Sequence, residues 1–237
     1  MIDLAHKSQT PDMFNRIALR YDILNTILSF GMHGAWRKAV ARQLPHGDDL
    51  HVLDLATGTG DQLITLFKTG KLKSAIGLDP SFAMVRIAEQ KCAKQLPYAD
   101  VTFVEADAAR IPFENEAFDA VTMSFGIRNV PNVVDVLKEA YRVLQPGGRL
   151  LILEFSTPTF GMVRALHTLY LRTVVAWLGG LLSGDRAAYK YLNKSIEAFP
   201  SGDVFCDLMH YAGFENVSFE PLFFGAVSVY NGGKAHV

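Results

Sequence analysis

Two acidic residues follow apolar, strand-like runs, and a glycine-rich turn lies between them. Residues 52–61 read VLDLATGTGD, in which Asp54 precedes Gly58 and Gly60, and Asp79 comes at the end of the next apolar run. A strand that enters a glycine turn is typical of nucleotide binding, because glycine lets the backbone approach a ligand closely. The pattern therefore predicts a nucleotide-binding site at this turn.

The details of the turn select the nucleotide. A dinucleotide fingerprint needs a third glycine at the position that Leu63 occupies, so an NAD-dependent oxidoreductase is disfavoured. What remains is D-x-A-x-G-x-G, with the carboxylate of Asp54 just before the turn. This carboxylate would repel a pyrophosphate, whereas it suits a ligand that carries an ammonium or sulfonium charge. We therefore expect S-adenosylmethionine (S-adenosyl-L-methionine) as the cofactor.

Residues at later strand ends fit the same cofactor. Thr59 can offer its hydroxyl or backbone N–H to the ligand, and the two carboxylate oxygens of Asp79 can accept from both ribose hydroxyls. Asp107 can accept from the adenine amine, Ala108 leaves room for the ring, and Ser124 ends the fourth strand on the methyl-transfer side. Such residues also serve as helix caps and turn formers, but their occurrence at successive strand ends favours cofactor binding. The predicted cofactor site comprises Asp54, Gly58, Thr59, Gly60, Asp79, Asp107, Ala108 and Ser124.

The predicted secondary structure places these residues at one edge of a sheet. Strand patterns cover residues 51–55, 74–78, 101–104, 118–124, 149–154, 217–220 and 226–230. Ser81 and Ser201 are expected to cap the helices that follow them, and residues 145–148 to end the helix before the fifth strand. Since strands that alternate with helices pair in parallel, we expect an α/β, Rossmann-like fold: a mostly parallel seven-stranded sheet with helices on both faces.

The chain of 237 residues is expected to form a single domain. Residues 1–45 are interpreted as an N-terminal helical cap and 46–158 as the cofactor-binding core. Residues 159–200 form a predicted helical insertion after the fifth strand, and 201–237 a C-terminal helix with two strands. Ligands of α/β sheets bind at the carboxyl ends of the strands, so the cap and the insertion are the expected places of substrate recognition.

Composition and local motifs disfavour other classes of protein. The net charge is −1 without a long basic run, so nucleic-acid binding is not expected. The fourth strand also lacks the Asn/Asp-Pro-Pro-Tyr motif of enzymes that methylate base amines. Cys92 and Cys206 form neither a metal pair nor a disulfide framework, and each is expected to be a core residue in a reducing compartment. No metal site is predicted.

The apolar segment 173–182 is about half as long as the roughly 20 residues of a membrane-spanning helix. Gly179 and Gly180 also interrupt it. We expect this segment to touch a bilayer surface or to line an apolar pocket. Because the first residues lack a signal or transit pattern, the expected location is cytoplasmic, with peripheral contact at the inner face of the membrane.

Two longer stretches resemble the signatures of a known family. Residues 21–36, YDILNTILSFGMHGAW, and residues 142–156, RVLQPGGRLLILEFS, resemble those of the quinone-biosynthesis C-methyltransferases. That family comprises demethylmenaquinone methyltransferases and their ubiquinone counterparts, which are class I S-adenosylmethionine-dependent enzymes. Residues 124–130, 197–200 and 212–214 are similar as well, so the resemblance covers nearly the whole chain.

The chain departs from the family pattern at three places. Ala56 replaces the first glycine of the loop, a small change that should still admit the ligand. Gln145 stands where lysine is usual. Residues 230–231 are Tyr-Asn where a histidine is common, which puts any catalytic role of the tail in doubt.

The resemblance implies methyl transfer from S-adenosylmethionine to a ring carbon of a polyprenylated quinol. The expected acceptor is demethylmenaquinol. The alternative is that the enzyme methylates the benzoquinol precursor of ubiquinone, or both quinols. Methylation of another small lipid or phenol and a noncatalytic scaffold in quinone synthesis remain open. Expected partners are the quinol, the membrane surface, and either a second copy of the chain or a quinone-synthesis complex.

Two polar residues after the fourth strand are the first candidates for acceptor chemistry. Arg128 and Asn129 can face the reacting ring. Arg128 either stabilises a phenolate or positions a water that takes the proton, or it pairs with Glu154 or Asp22 in a structural role.

Other candidates lie in the flanking helices. His33 is either a general base or a structural histidine of an amphipathic helix. Tyr21 either gates the cofactor or packs. Tyr170, together with His167 and Tyr191, either lines a substrate channel or packs against its neighbours.

Overall fold

The computed structural model describes residues 10–175 and 186–236. Its strands are β1 (Leu50–Leu55), β2 (Leu72–Asp79), β3 (Asp100–Glu105), β4 (Phe118–Ser124), β5 (Leu144–Phe155), β6 (Glu215–Leu222) and β7 (Val227–Gly233). They form one seven-stranded sheet in the order β3-β2-β1-β4-β5-β7-β6. The first five pair in parallel, whereas β7 runs antiparallel to both β5 and β6. The expected mostly parallel sheet is confirmed.

Helices precede the sheet, connect its strands and follow β5. They are α1 (Thr10–Leu28), α2 (His33–Arg42), α3 (Asp61–Phe67), α4 (Phe82–Gln95), α5 (Val133–Val143), α6 (Gly161–Tyr170), α7 (Arg186–Ala198) and α8 (Asp203–Tyr211). Short helical turns cover Ile127–Asn129, Leu171–Val175 and Phe223–Gly225. Among these, α3, α4 and α5 are the crossovers of the parallel strands, as the alternating pattern predicts.

The sheet is covered by apolar residues on both faces. Leu53 and Leu55 of β1 belong to the core that α5 and α8 complete, whereas Val52 belongs to the core under α2 and α3. Side chains of a strand alternate between faces, and β1 has apolar residues on both faces, so it contributes to both cores. This burial holds the carboxyl ends of the central strands in fixed positions.

Helix α5 ends at Val143, just before residues 145–148, as predicted. Two other local predictions were wrong: the start of the fifth strand and the cap of α8. Residues 145–148 lie within β5, where the pairing register jumps from Phe118↔Leu144 to Ala120↔Arg149. Gly148 permits this bulge, because an added Cβ would lie 2.9 Å from the carbonyl oxygen of Gln145. Ser201 does not cap α8; its hydroxyl accepts a hydrogen bond from Thr157 N at 3.2 Å. The cap position belongs to Gly202 with φ of 69°.

The N-terminal and inserted helices lie against each other. Leu24 of α1, Leu171 after α6 and Ile196 of α7 form a small buried cluster. No helix within residues 10–175 and 186–236 is long and apolar enough to cross a membrane. Most of the apolar segment singled out in the sequence, residues 176–182, lies outside the described residues.

Candidate active site

The turn after β1 uses the left-handed region of backbone conformation. Ala56, Gly58 and Gly60 have φ of 49°, 57° and 82°. A Cβ added to Gly60 would lie 3.2 Å from Cys92 Sγ, so this glycine lets α3 begin close against α4. A Cβ added to Gly58 would meet nothing within 4 Å. Gly58 therefore fits the close approach of a ligand, whereas Gly60 serves helix packing.

Asp79 ties the glycine turn to the start of α4. Its Oδ2 accepts from Gly58 N at 2.9 Å and its Oδ1 from Ser81 N at 2.8 Å. Ser81 caps α4 as predicted, since its hydroxyl accepts from Met84 N. Burial raises the pKa of the Asp79 carboxyl to about 6, although these two hydrogen bonds oppose the rise. Each oxygen keeps acceptor capacity for a ribose hydroxyl.

Asp54 lies below the turn and joins two strands. Its carboxylate accepts from Thr57 Oγ1 at 2.7 Å and from Thr122 Oγ1 at 2.5 Å. Burial raises its pKa to about 6. A buried carboxylate of this kind is stabilised in its charged form by a cation, which a bound ammonium group would supply.

Most of the predicted cofactor residues line one cleft of about 150 Å³. Asp107 is exposed and accepts from Ala109 N at 2.9 Å, and Ala108 beside it is buried. Ser124 donates to Gln62 Oε1 at 3.0 Å. The residues of the predicted site that line this cleft are Gly58, Asp79, Asp107, Ala108 and Ser124.

A narrower cleft contains the remaining end of the predicted cofactor site. Asp54 and Thr59 line it together with Gly58 and Ser124. The hydroxyl of Thr59 is already committed, because it donates to Asp22 Oδ1 of α1 at 2.6 Å. Thr59 is therefore left with its backbone groups for a ligand.

The shape and chemistry of the two clefts fit S-adenosylmethionine. The wider cleft offers two carboxylates and a small apolar surface, which suit the hydroxyls, amine and ring of an adenosine. The narrower cleft offers the Asp54 carboxylate to an ammonium group. Gly58 borders both clefts, and its open Cα side leaves room for the chain that joins the two ends.

A larger and mostly apolar cavity of about 370 Å³ lies between α1, α2, α6 and α7. Aromatic side chains dominate its wall, among them Trp36, Phe125, Phe155, Phe223 and Phe224. Every residue predicted for catalysis or substrate binding borders this cavity: Tyr21, His33, Arg128, Asn129 and Tyr170. His167 and Tyr191 border it as well.

Arg128 forms a buried ion pair with Glu154. Its Nη1 donates to Glu154 Oε1 at 2.7 Å and to the carbonyl oxygen of Phe125 at 2.6 Å. Of the two structural partners weighed from the sequence, Glu154 is the one found, because Asp22 pairs with Lys91. The Arg128 Nε is buried without a hydrogen-bond partner among the described residues. The guanidinium is thus fixed on one side and has an unused donor.

Asn129 and Tyr21 stand where the cofactor cleft meets the large cavity. Both residues border each of these two spaces. Asn129 Nδ2 donates to the carbonyl oxygen of Phe125 at 3.3 Å, while its buried Oδ1 finds no partner within the described structure. Burial raises the pKa of the Tyr21 phenol, so the hydroxyl remains protonated at neutral pH. A methyl donor in the cofactor cleft and the ring of a methyl acceptor in the large cavity could meet at this junction.

His33 begins α2 and faces the same cavity. Its Nδ1 lies 2.9 Å from Ser29 Oγ, which leaves Nε2 for another partner. Burial and the nearby Arg37 lower the pKa of the imidazole, so His33 is neutral at pH 7. A neutral imidazole can accept a proton.

Tyr170 joins the insertion to the N-terminal helices. Its hydroxyl donates to the carbonyl oxygen of Leu28 at 2.7 Å, and its ring lies 5.8 Å from that of Phe30. The side chain therefore contributes its ring to the cavity wall rather than a free hydroxyl.

Arg37 was not predicted as a site residue, and neither was the cluster in which Lys91 pairs with Asp22 and Asp61 beside the glycine turn. Arg37 is buried and borders both the large cavity and the narrow cleft. Its signal was present, because Arg37 shares the buried face of α2 with Val40 and Ala41, which follow it at helical spacing. A cation in such an apolar stripe indicates a specific partner.

Comparison with known proteins assigns the family. The ubiE/COQ5 methyltransferase family profile matches residues 3–234. A ubiquinone/menaquinone biosynthesis C-methyltransferase UbiE from Geotalea daltonii is 41% identical over 99% of this chain and all of its own length. A demethylmenaquinone methyltransferase from Thermus thermophilus is 42% identical over 94% of this chain and all of its own.

A solved structure supports the same class of enzyme. It is an S-adenosylmethionine-dependent methyltransferase from Thermotoga maritima, described as a possible histamine N-methyltransferase, with 25% identity and a TM-score of 0.67. The alignment covers 94% of this chain and 98% of that one. The expectations of a class I fold, S-adenosylmethionine as donor and methyltransferase activity are confirmed. The chain belongs to the ubiE/COQ5 methyltransferase family.

Proposed function

We propose that the chain transfers a methyl group from S-adenosylmethionine to a ring carbon of a polyprenylated quinol, with demethylmenaquinol as the primary acceptor. The observation that carries this proposal is the junction at Tyr21 and Asn129, where an aromatic-lined cavity meets the cofactor cleft. An apolar cavity with a few polar groups at one end suits a ring with hydroxyls and a hydrocarbon tail. Relatives named for menaquinone and ubiquinone synthesis support this acceptor class.

The bound donor supplies an electrophilic methyl group, and the protein must make the ring carbon nucleophilic. The proposed role of Arg128 is to stabilise the phenolate that activates the adjacent ring carbon. Glu154 and the Phe125 carbonyl hold its guanidinium in place, so little reorganisation is needed when the negative charge develops. The Asn129 side chain at the same junction can orient a ring hydroxyl.

His33 is the proposed proton acceptor. It is neutral at pH 7, and Ser29 fixes the ring through Nδ1. Its position on the cavity wall allows it to take the proton of the phenol or of the methylated ring carbon, directly or through water.

Exposed apolar residues surround the mouth of the cavity. Phe30, Leu166 and Phe224 line the cavity and are nevertheless 71%, 62% and 80% exposed. Phe160, Met162 and Leu169 extend this surface along α6. The proposed role of this face is peripheral contact with a bilayer, through which the prenyl tail enters.

The membrane contact is tested by vesicle sedimentation. The double variant Met162→Glu/Leu169→Glu makes this exposed face charged without altering the cavity wall. It should no longer bind anionic vesicles. Val204→Glu on α8, which is also exposed, is the matched control and should bind as the unaltered protein does. Equal binding of both variants would refute this face as the contact.

The acceptor is tested with purified protein and methyl-labelled S-adenosylmethionine. Demethylmenaquinol and the benzoquinol precursor are offered separately, and label is followed into the lipid extract. Faster labelling of demethylmenaquinol supports the proposal. Faster labelling of the benzoquinol would instead assign the enzyme to ubiquinone synthesis. Labelling of neither quinol by protein that binds the donor would contradict a quinol acceptor.

A further inference from the structure

Arg37 is the one cation among the described residues that borders both the large cavity and the narrow cleft beside Asp54. The narrow cleft otherwise carries negative charge, from Asp54 and Asp61. It therefore has two carboxylates and a single guanidinium around the turn that holds the donor.

The guanidinium is buried but weakly partnered. The Arg37 side chain is 9% exposed, and its Nη2 lies 3.6 Å from Asp61 Oδ2. The other Asp61 oxygen contacts Lys91, so Asp61 is shared between two cations. The Arg37 Nε is buried and has no hydrogen-bond partner in the described part of the chain. Because burying a cation is costly unless it is paired, this side chain has capacity for another anion.

The methionyl end of the donor carries both an ammonium and a carboxylate. Asp54 complements the ammonium, but Asp54 and Asp61 would repel the carboxylate. We propose that Arg37 binds the α-carboxylate of S-adenosylmethionine. A planar guanidinium donates two parallel hydrogen bonds to a carboxylate, and the Nε with one terminal nitrogen of Arg37 can form this pair. Arg128 is then left for the acceptor.

A pair of nonreactive ligands tests the contact without turnover. S-adenosylhomocysteine carries the α-carboxylate, whereas its decarboxylated analogue keeps the adenosine, thioether and amine. Titration calorimetry should show tighter binding of S-adenosylhomocysteine to the unaltered protein, by about tenfold or more. In Arg37→Met, the affinity for S-adenosylhomocysteine should fall by about tenfold, while the affinity for the analogue stays the same or rises. Arg37→Lys should retain part of the preference.

The controls separate binding from folding. Arg42→Met changes an exposed arginine in the last turn of the same helix and should keep the full preference. If Arg37 had a purely structural role, Arg37→Met would weaken the binding of both ligands equally. That result would overturn the proposal. Retention of the preference in Arg37→Met would overturn it as well, even if turnover fell, since Arg37 would then serve the acceptor. Failure of the unaltered protein to bind either ligand would refute the donor site itself.

Discussion

At the scale of single residues, the site assigns different tasks to its charged groups. Asp79 and Asp54 are buried carboxylates at the cofactor turn, each hydrogen-bonded by the protein itself. Arg128 is held by Glu154 at the wall of the acceptor cavity. These residues therefore make structural contacts in addition to their proposed ligand contacts. An informative variant must distinguish the loss of a ligand contact from the loss of a structural one.

Asp79→Ala should weaken binding of S-adenosylhomocysteine by about tenfold to a hundredfold, because charge-assisted contacts to the ribose are lost. The Gly58 and Ser81 amides also lose their acceptor. Asp107→Ala is the comparison, since the proposed role of this exposed residue is a single adenine contact, and its effect should be smaller. Calorimetry checks both, and unchanged affinity in Asp79→Ala would refute the ribose assignment.

Arg128→Met should lower methyl transfer by about a hundredfold to a thousandfold, with affinity for the donor nearly unchanged. It should also destabilise the fold by about 3–5 kcal/mol, because Glu154 is left buried and unpaired. Adding Glu154→Gln removes that charge and should restore much of the stability. Recovery of stability without activity supports a chemical role for Arg128. Recovery of both would show that its role is structural.

At the scale of elements, α1 is fastened over the cofactor turn by a cluster of charges. Lys91 of α4 contacts Asp22 of α1 at 2.6 Å and also pairs with Asp61, while Asp22 accepts from the Thr59 hydroxyl. Asn15 of α1 adds an acceptor for the Ser81 hydroxyl at 2.6 Å. The helix that carries Tyr21 is thereby tied to the glycine turn that is proposed to bind the donor.

Lys91→Met should loosen α1 without removing a ligand contact. Amide hydrogen exchange in residues 15–28 should accelerate, and affinity for S-adenosylhomocysteine should fall several-fold. Lys94→Met, at an exposed position of the same helix, is the control and should change neither quantity. Unaltered exchange in Lys91→Met would mean that apolar packing alone holds α1.

At the scale of the whole molecule, the sheet and the grouping of the candidate donor residues at one edge of it were predictable from sequence. Apolar runs, glycines and acidic residues at strand ends are local signals, and the sheet topology brings those ends together. The acceptor half depends on contacts between distant segments. The sequence therefore left open whether Arg128 pairs with Glu154 or with Asp22, and the structure shows Glu154. The glycine bulge in β5 and the burial of Arg37 also follow from tertiary packing.

We expect the two buried carboxylates to make donor binding pH-dependent. Burial raises the pKa of Asp54 and of Asp79 to about 6, above the unfolded value near 4. Since the ligand needs the charged forms, affinity for S-adenosylhomocysteine should fall as the pH drops below 6. The same groups stabilise the free fold at low pH, and this contribution is lost as the pH rises through 6. Opposite trends in affinity and stability between pH 7 and 5 would confirm this, and constant affinity would refute it.

In the proposed reaction, the methyl group reaches a ring carbon of a quinol held in the aromatic cavity. The direct measurement is carbon NMR of the lipid product after incubation with ¹³C-methyl S-adenosylmethionine and demethylmenaquinol. The expected result is a labelled methyl resonance on the quinone ring in reactions with the unaltered protein, and almost none with Arg128→Met/Glu154→Gln. A labelled methoxy resonance, or no labelled lipid from protein saturated with donor, would contradict the account.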